Sequence, residues 1–276
     1  MGRPARVTVA PKQSLGQNFL IDDNIAGNIV RDMHLSPEDI VIEIGPGQGA
    51  LTKHLAGKVR HLIAVEIDDR VIHDLKVSLP SSSVDILHED FLETPLSELY
   101  GRFQRRLRIV GNIPYHMTSA ILFKVFEEHA VVQDLTMMVQ REVAQRLVAV
   151  PSTKAYGILA VFARFYGTPK MLFPVSPNCF YPKPKVISSL LQIVLHAKLP
   201  YTVDTLLFGE IVRTTFGKRR KTLRNSLQYL GRDPTIVKEI TGSGMPWLDR
   251  RPEQLHIEDF VEITNHVERI ISCRKQ

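Results

Sequence analysis

The chain has 276 residues, 44% of them hydrophobic and 23% charged, a balance that predicts a soluble globular protein with one large core and a smaller second domain. A formal net charge of +6 favours a polyanionic partner. No apolar stretch reaches the roughly 18 residues that a membrane span requires, and Cys179 and Cys273 have no metal-ligand spacing, which excludes a membrane protein and a zinc site and predicts a reduced, cytoplasmic chain.

The first thirteen residues carry Arg3, Arg6 and Lys12 without an apolar core, so positions 1–13 read as a disordered basic tail and not as a signal peptide. Helical periodicity follows at 24–33, and from 40 onward short β-branched runs alternate with helical segments. Strands are expected over 40–44, 61–67, 84–88, 107–111 and 135–139, with helices over 51–56, 70–79, 119–128 and 141–150. That alternation predicts an α/β fold, a Rossmann-like parallel sheet with helices on both faces. After Val150 the pattern changes: a polar break at 151–154 and a proline-rich stretch at 174–184 lead into a last strand over 186–195. Pro200 marks a boundary, and amphipathic helices over 203–216, 221–230, 235–241 and 257–271 predict a small C-terminal helical domain. The expected domains are therefore 14–199 and 200–276.

The first strand runs into Gly45-Pro46-Gly47-Gln48-Gly49, where glycine allows close backbone approach and a helix start offers free N–H groups. The second strand leads to Glu66, placed to accept both hydroxyls of a ribose. The third ends at Glu89-Asp90-Phe91, where Asp90 can accept from an adenine amine and Phe91 lies alongside. Any one carboxylate reads as a solvated strand end, but successive strand ends carrying suitable groups point to a nucleotide-bearing cofactor.

The fourth strand ends in Asn112-Ile113-Pro114-Tyr115. Asn112 offers a carbonyl oxygen to an amine N–H. Pro114 restricts the residue before it to an extended conformation, which fixes the direction of the Ile113 carbonyl as a second acceptor. Tyr115 adds a flat face for a base drawn out of its stack. Together they suit methylation of an exocyclic base amine, whose lone pair must be freed from the ring. A hydride-transfer enzyme has no use for these groups, so S-adenosylmethionine is favoured over nicotinamide. Taken alone, the four residues are equally a turn that ends a strand.

Further motifs occur in order: Ser14-Leu15-Gly16-Gln17-Asn18-Phe19-Leu20, Lys154-Ala155-Tyr156-Gly157, Phe180-Tyr181-Pro182-Lys183-Pro184-Lys185-Val186 and Phe216-Gly217-Lys218-Arg219-Arg220-Lys221-Thr222-Leu223-Arg224-Asn225. With Glu43 to Gly47 and Asn112 to Tyr115, they resemble the ribosomal RNA adenine N6,N6-dimethyltransferases, closest to the KsgA type that acts on small-subunit rRNA. The resemblance covers the chain from Ser14 to about Ile270. It implies that Gln17, Asn18, Leu20, Gly45, Gly47, Glu66, Asp90 and Asn112 hold S-adenosylmethionine. It also implies that two adjacent adenines in a hairpin loop near the 3′ end of 16S rRNA, within the 30S particle or its precursor, are each dimethylated by a monomeric enzyme.

On the same resemblance Phe180 becomes a second wall of the base clamp opposite Tyr115. The run Lys218, Arg219, Arg220 and Lys221, with Arg224, reads as a phosphate-contacting surface, and Arg141, Arg146, Arg250 and Arg251 are candidates to extend it. His116 and the pair Ser119-Ala120 depart from the family pattern beside the target pocket. Three other readings stay open: a 23S rRNA adenine methyltransferase of the antibiotic-resistance type, a non-catalytic ribosome-assembly or RNA-binding factor, and a nucleotide-dependent oxidoreductase.

Overall fold

Short runs of aliphatic residues bounded by glycine or polar turns form the strands, and the structure, a computed structural model, describes residues 9–78 and 83–273. The strands are β1 (Phe19–Leu20), β2 (Ile40–Ile44), β3 (His61–Glu66), β4 (Val84–His88), β5 (Leu107–Gly111), β6 (Val132–Gln140), β7 (Gly167–Val175), β8 (Phe180–Tyr181) and β9 (Ser188–Leu195). Seven of them form one sheet in the order β4-β3-β2-β5-β6-β9-β7, while β1 and β8 pair as a separate antiparallel ribbon. The strands from β4 to β6 run parallel, as the alternation over 40–140 predicts; β9, antiparallel between β6 and β7, makes the whole sheet mixed.

Both faces of this sheet are buried, as a Rossmann-like α/β fold requires. Val41, Leu62, Val110 and Met138 pack with Ala26, Ile29, Val30 and Leu55 from the neighbouring helices, while the alternate residues Ile40, Ile42, Ile63 and Ile109 are equally inaccessible. From the central strand β2 the chain continues outward to β3 and later returns on the other side as β5. This reversal opens a crevice at the carboxyl ends of the strands, the place where such sheets bind ligands.

The helices expected in this part form as Asp23–Asp32, Thr52–Leu55, Asp69–Ser78, Thr118–Glu127 and Arg141–Leu147; position 79 lies outside the described residues. Of the expected tail, residues 1–8 lie outside them too. The rest is tied down: the Val9 carbonyl accepts from Gln48 Nε2 at 3.0 Å and the Ala10 carbonyl from Arg70 at 3.3 Å. Strand β7 was not expected because Pro169 and Pro174 interrupt it. It is the edge strand of the sheet, the position where missing N–H donors are tolerated. The helix Leu96–Phe103, interrupted by Gly101, also escaped the sequence pattern.

The chain divides into two units, one comprising residues up to 144 with 166–198, the other 145–165 with 199 onward. The segment 145–165, which the sequence reading put with the sheet, falls in the second unit. Aromatic packing explains this: in the helix Ile158–Tyr166, Phe165 stacks on Phe208 with centroids 4.0 Å apart, and Phe162 meets the same ring edge-on. The Tyr156 hydroxyl also donates to the buried Leu255 carbonyl at 2.9 Å. Beyond 199 the second unit's α-helices are Thr205–Gly217, Leu223–Ser226, Pro234–Gly242 and Ile257–Cys273. Among the described residues no helix is long and apolar enough to cross a membrane.

At the amino end of the sheet, Arg108 is buried between two carboxylates. Its Nε lies 3.1 Å from both Asp134 oxygens, its Nη1 2.8 Å from Asp39, and it also donates to the carbonyls of Met33 and His34, at the end of helix Asp23–Asp32. This pairing explains why the polar residue Asp134 sits inside β6, whose start was expected later. Arg108→Ala would leave both carboxylates buried without their cation. The expected loss is about 3–5 kcal/mol of unfolding free energy, measured by urea titration; a loss below 1 kcal/mol would show that the network is dispensable.

Candidate active site

Every residue expected to hold a cofactor lines one cleft at the carboxyl ends of β2, β3, β4 and β5. Gln17, Asn18, Leu20, Gly45, Gly47, Glu66, Asp90 and Asn112 border its roughly 220 Å³, and so do Ile113, Pro114, Phe91 and Glu43. The glycine turn after β2 needs its glycines, since Gly45 and Gly47 have φ values of 61° and 53°, where side chains are strained. A Cβ on Gly47 would also come within 3.0 Å of the Phe19 ring.

Glu66 is 4% exposed and knits the cleft wall together. Its Oε2 accepts the Gly47 N–H at 3.0 Å, and its Oε1 accepts those of Ile67 and Asp68 at 3.0 and 2.9 Å. Burial raises its pKa above the usual carboxylate value. Asp90 accepts the Leu92 N–H through Oδ1 at 2.9 Å, which leaves Oδ2 without a protein partner among the described residues. Phe91 beside it is buried.

Asn112 donates from Nδ2 to the Asn18 carbonyl at 2.9 Å. With the amide nitrogen so engaged, Oδ1 is left as an acceptor. Nothing among the described residues donates to Oδ1 or to the Ile113 carbonyl, so two neighbouring acceptors stand free at the end of β5. Pro114 (φ −58°, ψ 133°) is extended, and a 3-10 turn, Tyr115–Met117, follows.

The N-terminal loop reaches this point through contacts that the sequence did not reveal. Asp68 is held by Arg70, with Nε 2.8 Å from Oδ1, and accepts Gln17 Nε2 at 2.8 Å; these bonds keep its carboxyl far below the usual carboxylate range. Gln17 Oε1 in turn accepts the Lys12 N–H at 2.8 Å. The signal available in sequence was the spacing Glu66, Asp68, Arg70, an acid and a base just past the ribose-type carboxylate.

Two expected members of the base clamp stand apart from the cleft lining. Tyr115 is half-buried, its hydroxyl 2.6 Å from Ser188 Oγ. Phe180 is 1% exposed and packs in the core with Leu20, Cys179 and Leu190, its strand paired to β1 in the register Leu20 to Phe180. An apolar ring flanked by the two-strand ribbon is drawn into the core, so its ring has no open face.

In the second unit the expected phosphate-contacting cations divide. Arg219 donates to the carbonyls of Lys154 and Thr153 and lies 3.6 Å from Glu253. Arg224 is engaged by Asp249 at 3.1 Å and by the Thr241 carbonyl, and Arg250 by Asp259. Lys218, Arg220 and Lys221 have no carboxylate partner among the described residues.

A family model described as ribosomal RNA adenine dimethylase matches residues 10–256. A protein of Alkaliphilus oremlandii named ribosomal RNA small subunit methyltransferase A is 39% identical, the match covering 92% of this chain and 91% of the relative. A protein of the same name from Bacteroides thetaiotaomicron is 38% identical over 94% and 95% of the two chains. Among solved structures, a dimethyladenosine transferase from Plasmodium falciparum shares the fold with a TM-score of 0.77 at 20% identity, covering 90% of this chain and 97% of that one. The 23S rRNA methyltransferase ErmE follows at 0.65 and 27% identity, covering 90% and 100%.

Glu43 received no role from the sequence, yet it borders the cleft at 1% exposure and its Oε2 has no hydrogen-bond partner among the described residues. Burial, reinforced by the negative charge of Glu66, raises its pKa to about 8 from a model-peptide value of 4.5. The folded state therefore holds an extra proton between those values, and stability falls as pH rises through that window. Glu43→Gln removes this loss. The expected outcome is a melting temperature for the variant that gains on the parent between pH 5 and about pH 8.5; a constant difference across that range would show that Glu43 titrates normally.

Proposed function

This chain belongs to the ribosomal RNA adenine dimethylase family, and from that premise we propose that it dimethylates N6 of two adjacent adenines in 16S rRNA, within the 30S particle or its precursor, using S-adenosylmethionine. The observation that carries the proposal is the pair of free acceptors at the end of β5, Asn112 Oδ1 and the Ile113 carbonyl. The assignment to small-subunit rRNA is supported by relatives named for that substrate at 39% and 38% identity, against 27% for the 23S enzyme.

The cleft fits the cofactor. Asp90 keeps a free oxygen for an adenine amine, Glu66 retains acceptor capacity for ribose hydroxyls, and the positive-φ turn at Gly45 has no atom within 4 Å of where a side chain would stand. Bound there, S-adenosylmethionine supplies a methyl group on a cationic sulfur, the electrophile of the reaction.

The residues of this chain then act on the amine. In the first transfer Asn112 Oδ1 and the Ile113 carbonyl accept hydrogen bonds from its two N–H groups, which turns the nitrogen lone pair out of conjugation with the ring; in the second, one of the two acceptors holds the single N–H that remains. No base needs to remove a proton first, since a neutral amine is the nucleophile; once the new N–C bond has formed and the C–S bond has broken, the cationic nitrogen gives up one proton to water. As positive charge grows on N6, both hydrogen bonds strengthen, so the acceptors bind the transition state more tightly than the ground state. Tyr115 holds the flipped ring by stacking, its hydroxyl pinned by Ser188. Phe180, buried against Leu20 and Cys179, backs the clamp from the core side.

Incubation with labelled cofactor and either 30S particles or 23S rRNA, followed by mapping of the modified base, should place the label on adenines of 16S rRNA. Label confined to 23S rRNA would refute the substrate assignment, and none in any RNA would refute methyl transfer. Asn112→Ala should lower kcat by about 10²–10³ with little change in RNA affinity, the range seen when a single preorganised polar group is removed. Tyr115→Phe should keep most activity and Tyr115→Ala should lose it, as measured by initial rates. Phe180→Ala should lower both activity and melting temperature, because its ring is core as well as clamp; lost stability with full activity would remove Phe180 from the clamp.

A further inference from the structure

Within the second unit, two lysines converge on one exposed tyrosine. Lys218 closes the helix Thr205–Gly217, and the Lys221 N–H donates to its carbonyl at 2.8 Å in the turn that follows. Tyr229 ends the 3-10 turn Leu227–Tyr229; Leu227 and Leu230 on either side are buried, while Tyr229 is 51% exposed. The Lys218 and Lys221 ammonium nitrogens stand 4.5 and 4.8 Å from its ring centroid, and Lys221 Nζ lies 2.9 Å from the hydroxyl.

Two cations of this run are held by acids: Arg219 faces Glu253 and Arg224 faces Asp249. Lys218 and Lys221 are not, and neither is Arg220 beside them, among the described residues. Two ammonium groups crowded onto one ring repel each other and attract an anion. The phosphate of a nucleic acid supplies that anion, with a salt dependence set by the cations engaged. Once a phosphate draws the ammonium groups off the ring, the ring offers a flat surface for a base, and stacking tolerates any base because each has a π face.

We propose that Tyr229, Lys218 and Lys221 form a docking point for one unpaired RNA nucleotide, its base stacked on Tyr229 and its phosphate between the two lysines. Arg220 adds a phosphate contact. The assignment rests on the RNA-modifying function proposed above and adds to it a stacking residue and a division among the cations.

The test uses the full chain and two labelled probes of equal length, decaadenylate RNA and a strand of the same backbone with abasic positions. Wild type should prefer the adenylate strand. Tyr229→Leu should weaken adenylate binding roughly tenfold and leave abasic binding unchanged, while Tyr229→Phe keeps the preference. Lys218→Gln with Lys221→Gln should weaken both strands and lower the salt slope by about 2. A Tyr229→Leu variant that keeps the wild-type preference, or that loses equally on both strands, overturns the docking point. If that variant's parent still methylates 30S particles, the RNA-modifying function stands without it. Failure of wild type to bind either strand, together with no methyl transfer to any RNA, refutes both.

Discussion

The hydrogen bond from Asn112 Nδ2 to the Asn18 carbonyl is the interaction on which the rest of the site depends. An amide side chain has a donor end and an acceptor end, and this bond decides which end is free. It also joins two segments far apart in sequence, the N-terminal loop and the end of β5, so that the cofactor residues of the loop and the amine acceptors share one cleft. The loop is itself held elsewhere, by Gln17 on Asp68 and by Arg70 on Asp68 and the Ala10 carbonyl. His116 packs where a side chain on Gly16 would stand, with Nδ1 only 3.1 Å from that position, which ties the loop to the turn after the tetrapeptide. His116 thus supports the loop from the turn that follows the tetrapeptide.

The two ends of the sheet handle buried charge in opposite ways. At the amino end, Arg108 answers Asp39 and Asp134 with a network of hydrogen bonds, and the result is structural. At the carboxyl end, Glu43 and Glu66 are buried with no cation between them, and both pKa values rise. Burial of carboxylates without a countercharge is destabilising, and it concentrates where a protein keeps groups ready for a ligand. The contrast locates the site by energetics alone, without reference to motif.

Most of the sheet and its site could be read from the chain because their signals are local. Ile40–Ile44, Val84–His88 and Leu107–Gly111 form where their β-branched runs place them, and each leads into the loop residue that carries chemistry. What escaped reading depends on distant partners. Asp134 sits inside β6 because Arg108 supplies its counter-charge, and β7 carries Pro169 and Pro174 because its place at the sheet edge makes the missing donors harmless. The segment 145–165 follows the sheet in sequence but joins the second unit through Phe162, Phe165 and Tyr156, whose partners lie beyond Pro200. Phe180 shows the converse, a residue whose motif implied an open ring while strand pairing with Leu20 buries it.

The most direct measurement is a crystal structure of the chain with adenosine in the target pocket and the demethylated cofactor in the cleft. The account predicts the adenosine N6 within hydrogen-bond distance of both Asn112 Oδ1 and the Ile113 carbonyl, with Asn112 Nδ2 still on the Asn18 carbonyl. An N6 that reaches neither acceptor, or an Asn112 amide turned to present its nitrogen, would contradict it.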